Sequence, residues 1–282
     1  MSTAPRSRST KGYFSPSSVF WRVSREMIAL LVGGRALLMQ IAHPKVAAGV
    51  AQHSQFKDDP LNRLRRTMNT TWSVTFDEKA AARASLERIN SLHDKVKGVV
   101  GYGEMSCSGA PYRASDPDLL LWVHATLIDS GMLAYDRFVK SLSPEEAQQY
   151  YEDSKLFARL FDIPESIVPA SLADFQEYMN AMIAGNQIVI GSTAQSLSKD
   201  ILYPSPWVLK PGGPIFRLIT AGLLPPKLRA AYGLDWDERR KRRFDLAVRT
   251  IRLARPWVPR LLRVVPHARA AERRARKHGV LE

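Results

Sequence analysis

The 282-residue sequence predicts an all-α fold. Three observations carry the prediction. Apolar residues recur three and four apart through most of the chain, the period of a helix with one buried face. Helix starts are written out with capping residues and first-turn prolines, as at Ser143-Pro144-Glu145-Glu146. No run alternates apolar and polar residues for the length of a strand, and no internal repeat is present.

Residues 1–12 are polar and basic (Arg6, Arg8, Lys11) and read as a disordered tail. A helical domain is expected over 13–226. Ser15-Pro16-Ser17-Ser18 offers helix caps. Trp21–Gly33 reads as one helix, with Val23, Met27, Leu30 and Leu31 on its apolar stripe. Gly33-Gly34 permits a break or a close approach of another backbone. Arg35–Ala42 resumes the helix, which stops at His43-Pro44 because the residue before proline resists the α region. Lys45–His53 is a short helix of small residues (Ala47, Ala48, Gly49, Ala51), which admits a neighbouring helix or a flat cofactor equally well. Asp59-Pro60 starts a helix running to about Ser73. Another begins near Asp77 and carries Leu86, Ile89, His93 and Val96 on or beside one face.

The glycines from Gly98 to Gly109, with Pro111, mark a flexible loop placed to cover a site entrance. Asp116-Pro117 launches a nearly all-buried helix containing His124. Helices follow from Ser143 to about Phe161 and from Ser171 to about Ala184. Ser192–Pro214, with four prolines, reads as loop. Pro226–Tyr232 is a short helix and Asp235–Ala254 a longer one. Arg255–Val265 reads as a linker. The last helix, Pro266–Lys277, is polar nearly all round and is expected to fray.

Composition bounds the function. A hydrophobic share of 45% is enough for a core. The single cysteine, Cys107, excludes an internal disulfide, and no secretory signal or 18-residue apolar run is visible, so the expected location is cytoplasmic. The net charge of +14 is concentrated at the end. Residues 227–282 carry 17 Lys and Arg against 6 Asp and Glu, a balance of +11, leaving +3 for the other 226. This basic helical extension is compatible with peripheral contact to an anionic membrane. No nucleic-acid-binding signature accompanies it, so nucleic acid is not an expected partner.

Four of the six histidines fall between His43 and His124. None forms a close ligand pair such as His-x3-His, so a zinc or iron site built on local spacing is not indicated. His93 is either a core histidine or a metal donor, and His124 either a core histidine or a pocket residue. Arg63 and Arg66, three apart on one helix face with Thr67 beside them, are either a solvated basic face or a wall of a site.

Several motifs between residues 35 and 135 resemble the MpaB and latex-clearing-protein (rubber oxygenase) family of haem b oxygenases. They are Arg35–Pro44 with its His-Pro step, Gly49–Phe56, Asp59-Pro60 with Arg63-x-x-Arg66-Thr67, Leu92-His93-x-x-Val96, and Asp116-Pro117 through Trp122-Val123-His124-Ala125-Thr126-Leu127. Together they span about a third of the chain. The resemblance implies a globin-like helical domain around one haem b, with His93 as the axial iron ligand. It implies that Arg63, His43 and Thr126 contact the cofactor, and that Arg63, Arg66, Thr67 and His124 serve catalysis. The family's Arg-x-x-Lys-Thr pattern has arginine here at the lysine position. Arginine stays protonated and is a poor iron ligand, so the resemblance implies an open or water-filled distal site. The implied chemistry is dioxygen-dependent cleavage of a carbon–carbon double bond in a small, apolar, isoprenoid-like substrate. Two other readings stand beside it: a haem-binding protein without turnover, and a cofactor-free helical protein peripheral to the membrane.

Overall fold

The computed structural model describes residues 12–53, 60–101, 107–203 and 212–277, with only the backbone described over 60–64. Helix α1 (Val19–Ser24) begins at Ser18, whose hydroxyl accepts the Trp21 N–H at 3.1 Å. The single helix expected over Trp21–Gly33 is interrupted. Glu26 turns extended (φ −77°, ψ 120°) and pairs as a β-bridge with Val264. A 3₁₀ helix (Met27–Val32) follows and leads into α2 (Gly33–Ile41). The glycine pair therefore opens a helix. Gly34 is needed for close approach, because a Cβ there would lie 2.3 Å from Thr220 Oγ1 and 2.7 Å from Phe216 Cζ.

The His43-Pro44 step separates α2 from α3 (Pro44–His53), as expected. Helices α4 (Pro60–Phe76) and α5 (Lys79–His93) form a helical hairpin, joined between hydroxyls by Ser85 and Ser73 at 3.1 Å. Two short strands follow, β1 (Lys97–Val99) and β2 (Pro111–Arg113), paired antiparallel with Gly98 opposite Tyr112. They are too short for an alternation to be legible.

Helix α6 (Pro117–Phe138) is the central element. Trp122, Ala125, Thr126 and Phe138 on it are fully buried, and it packs against α1, α2 and α7 (Pro144–Leu160). The helices expected from Ser143 and Ser171 are present as α7 and α8 (Leu172–Ala184), and each opens with a capping box. The stretch expected to be loop after Gly191 instead begins with α9 (Ser192–Leu202), which buries Ala194, Leu197, Ser198 and Ile201 against α2 and α3. Then come α10 (Gly213–Leu223), α11 (Pro226–Ala231) and α12 (Glu238–Ala254).

The expected linker at Arg255–Val265 is structured. It holds a 3₁₀ turn (Arg255–Trp257), the short α13 (Arg260–Arg263) and the bridge at Val264. Helix α14 (Pro266–Lys277) is docked: Ala268, Ala271 and Glu272 are buried, and Arg274 donates to the Phe76 carbonyl at 2.9 Å. Val264, Val265 and Ala268 belong to the same hydrophobic cluster as Trp21, Leu38 and Trp122, so the last fifth of the chain helps build the main core. No single helix among the described residues is long and apolar enough to cross a membrane.

Candidate functional site

Helix α6 begins with Pro117 at its first turn, and its apolar faces bury it on several sides. Trp122 fixes it against α2 by donating its indole N–H to the Met39 carbonyl at 3.2 Å. This rigid setting holds His124. Its ring stacks on Phe157 of α7, with centroids 6.0 Å apart and planes 18° from parallel. Phe157 in turn stacks on Phe161 at 4.6 Å. His124 Nδ1 is buried and has no hydrogen-bond partner among the described residues. Burial pulls the His124 pKa down from 6.5 to about 4, so the ring is neutral at neutral pH. Thr126 is fully buried and spends its hydroxyl proton within its own helix, on the Val123 carbonyl at 2.8 Å.

His93 is the last residue of α5, whose end is closed by the Asp94 N–H donating to the Asn90 carbonyl. The helix stops there, so Val96 does not continue its stripe. It is reached through a turn in which the Val96 N–H donates to the His93 carbonyl at 3.0 Å. The His93 side chain is half-buried, and that burial lowers its pKa below the ordinary 6.5 against an opposing pull from Asp94. Among the described residues, no hydrogen bond engages its ring. One turn earlier, Asn90 Nδ2 donates to Asp162 Oδ2 at 2.7 Å. Asp162 lies just past α7 with φ at +58°. The end of α5 is thus tied to the end of α7 that carries Phe157 and Phe161. Asn90 of α5 and His124 of α6 are each linked to this end of α7, one through a side-chain hydrogen bond and one through the aromatic stack.

His43 sits at the corner between α2 and α3. Its Nδ1 accepts the Lys45 N–H at 3.3 Å. Burial, helped by the Lys45 charge and opposed by its own backbone and Asp118, lowers its pKa to about 4. Arg66 and Thr67 are exposed on α4, and their backbone carbonyls accept from the Thr70 and Thr71 hydroxyls at 3.1 Å each. Arg63 lies on α4, with its side chain outside the described residues. The structure therefore buries His124 beside Phe157, leaves His93 half-buried at the end of α5, and leaves Arg66 and Thr67 on an outer face.

Sequence reasoning missed two polar arrangements. Tyr112 Oη donates to Gln52 Oε1 at 2.8 Å, Gln52 Nε2 donates to the Val99 carbonyl at 2.9 Å, and His53 Nε2 lies 3.0 Å from the Lys97 carbonyl. These bonds pin the β1–β2 hairpin to α3, and a Cβ at Gly49 would meet Tyr112 at 3.4 Å and Val96 at 3.6 Å. The second arrangement centres on Arg35, which is buried on α2. It donates to the Leu223 carbonyl (2.8 Å), Ser130 Oγ (2.5 Å) and Asp129 Oδ2 (2.5 Å). A charge inside an apolar run was its sequence signal. Arg35 and Asp129 border a cleft of about 510 Å³ whose wall includes Met179, Asn180 and Lys227. Lys227 is committed to the carbonyls of Ile183 and Ala184 at the end of α8.

Among the described residues, no group of three or more His, Cys, Asp or Glu side chains is placed to hold a bare metal ion. The chemistry available here is that of isolated neutral imidazoles in apolar surroundings. Residues 21–253 match the family described as "ER-bound oxygenase mpaB/B'/Rubber oxygenase, catalytic domain". The chain belongs to this family. The match begins at Trp21 in α1, ends at Leu253 near the end of α12, and includes every residue discussed above as a candidate. Two mycobacterial relatives are 26% identical over 235 residues, covering 82% of this chain and 90% of theirs: the uncharacterized proteins Rv2237 of Mycobacterium tuberculosis and Mb2261 of Mycobacterium bovis. No solved structure matches the chain significantly. Membership gives the chain an oxygenase-type catalytic domain in an almost wholly helical fold.

Proposed function

We propose that the protein is a haem b-dependent oxygenase that cleaves a carbon–carbon double bond in a small, apolar, isoprenoid-like substrate. The observation that carries the reading is His93: a half-buried, neutral imidazole at a helix end, unengaged among the described residues, inside an oxygenase catalytic domain. A macrocycle brings four equatorial donors of its own and asks the protein for one or two axial ones. Isolated histidines meet that demand where a bare ion would need a cluster. His124, whose buried Nδ1 has no hydrogen-bond partner among the described residues, is a second neutral imidazole with unused hydrogen-bonding capacity. The residues present therefore fit the group.

In this reading His93 would hold the haem iron through a ring nitrogen, kept available by the burial that lowers its pKa. Haem iron, when bound, supplies the one-electron chemistry that lets dioxygen react with a closed-shell alkene. Arg63 and Arg66 of α4 would meet the cofactor's carboxylates with positive charge, which puts those carboxylates at the exposed face where Arg66 and Thr67 stand. Thr67 offers a hydroxyl beside them. His124 stays neutral and holds a polar atom against an aromatic wall, while His43 and Thr126 complete the lining. The reaction balances without an added reductant: the C=C bond breaks, two C=O bonds form, and both oxygen atoms come from dioxygen.

The test is an absorption spectrum of wild-type protein and His93→Ala, each expressed with haem supplied, followed by an assay for carbonyl products from an isoprenoid alkene. A Soret band lost or shifted in the variant, with product only from wild type, is the expected outcome. A band unchanged by the substitution would move the ligand away from His93. A band without product would leave a haem-binding protein lacking this turnover.

A further inference from the structure

Helix α12 has two apolar faces, and a helix packed on one core needs only one. Phe244, Val248 and Ile251 point inward onto Ile219 and Leu223 of α10. On the opposite side Leu246 and Leu253 stand 65% and 74% exposed. The helix runs on into the 3₁₀ turn, where Trp257 is 87% exposed. Leu246 and Leu253, seven apart, share one stripe of α12, and Trp257 stands exposed just beyond its end. Leu261 and Leu262, on α13, add two more side chains at about two-thirds exposure.

The charges around this stripe are mostly basic, Glu238 and Asp245 being the two acidic residues of α12. Between Leu246 and Arg263 there are five arginines and no acidic residue. Arg255 and Arg260 are committed inward, to Glu26 and Glu272. Arg249 and Arg252 are exposed beside the leucines, and Arg239 and Arg242 extend the basic face towards the start of α12.

We propose that this surface docks on an anionic lipid bilayer, with Trp257, Leu261 and Leu262 entering the interfacial region and Arg249 and Arg252 meeting the headgroups. Only such a partner answers both halves of the surface. Leucine and tryptophan gain from leaving water, arginine stems can lie along the apolar boundary with their heads at phosphate, and indole favours the interface. A second copy of the chain would set one arginine-lined face against another, and a nucleic acid would leave the leucines in water. The proposal goes beyond the oxygenase reading and does not depend on it. It also narrows the sequence expectation from the whole basic extension to one segment, since α14 is occupied in packing.

The test is co-sedimentation of the full chain with vesicles of phosphatidylcholine, with and without phosphatidylglycerol. Wild type is expected to pellet only with the anionic vesicles. Combined Trp257→Ala, Leu261→Ser and Leu262→Ser should weaken binding roughly tenfold or more, and Arg249→Glu with Arg252→Glu should weaken it comparably. All five side chains are exposed, so circular dichroism should show unchanged folding. The fluorescence difference between wild type and Trp257→Phe should shift to the blue on anionic vesicles. Absence of binding to anionic vesicles, or full binding by either variant, would overturn the proposal. So would a concentration-dependent dimer that the triple substitution abolishes.

Discussion

His124 lies flat against Phe157, ring centroids 6.0 Å apart, with its buried Nδ1 unpartnered among the described residues. An unsatisfied buried polar atom costs about 1–3 kcal/mol. The folded protein also resists protonating this ring, since its pKa falls from 6.5 to about 4. Between these values the unfolded chain binds the proton and the folded one does not. Stability is therefore complete above about pH 6.5 and is lost as the pH falls towards 4. The shift corresponds to ~3 kcal/mol for His124 alone, and His43 adds a loss over the same window. His124→Leu should match or exceed wild type in melting temperature at neutral pH and show a shallower acid decline. Melting curves from pH 7 to 4 check both, and a steeper decline in the variant would contradict the assignment. In the oxygenase reading the same variant loses turnover.

The neighbouring glycines of α2 separate two effects. A Cβ at Gly34 would strike Thr220 and Phe216, whereas one at Gly33 meets nothing within 4 Å. Gly34→Ala should destabilise by about 1–3 kcal/mol through overpacking. Gly33→Ala should be neutral or stabilising by up to roughly 1 kcal/mol, because alanine favours the helix. Denaturant midpoints measured side by side decide it, and equal midpoints would contradict the close approach.

Glu26 is almost fully buried and receives two hydrogen bonds from Arg255, at 2.7 and 3.2 Å. Removing Arg255 strands a buried carboxylate, with only Arg25 at 3.9 Å to compensate. Arg255→Ala should cost on the order of 3 kcal/mol. Replacing both partners with apolar residues, Glu26→Leu with Arg255→Met, should recover much of that loss. A double variant no more stable than the single one would show that the pair contributes beyond mutual neutralisation.

Asp77 links α4 to α14, with Oδ2 3.0 Å from His267 Nδ1 and Oδ1 3.8 Å from Arg274. Burial pushes its carboxyl up, but hydrogen bonds with His267 and Ser73 and the Arg274 charge hold it below the ordinary 3.8. Its contribution is present above pH 3.8 and is lost as the pH falls through the lowered value. Asp77→Asn should therefore be less stable than wild type at neutral pH, with the gap closing in acid. A gap independent of pH would remove the charge from the explanation.

What was legible in the sequence was local. The capping boxes at Ser143 and Ser171 need only residues three apart, and both helices start where expected. The His43-Pro44 stop is similarly local. Helix α9 was obscured by Pro204–Pro214 downstream, although Ala194, Leu197, Ser198 and Ile201 do follow helical spacing. Helix α14 looked polar because Glu272 finds Arg25 and Arg260, the first of them 247 residues away. The hairpin depends on Tyr112 reaching α3, which no short window contains. At the candidate site the histidines were legible as residue types. The links that tie α5 and His124 to the end of α7 rest on Asn90–Asp162 and His124–Phe157–Phe161, contacts invisible to periodicity.

The bridge between Glu26 and Val264, with the Val265 N–H donating to the Arg25 carbonyl, has a consequence in time. On a ribosome the first helix waits for its partner through nearly 240 further residues, about 10–50 s at ordinary synthesis rates. During that interval Glu26 has no Arg255, and the faces that Val264, Val265, Ala268 and Ala271 will cover remain open. Emergence of Val264 and the helix after it is thus the event that closes this part of the core, and a nascent protein halted before Val264 should remain a substrate for chaperones.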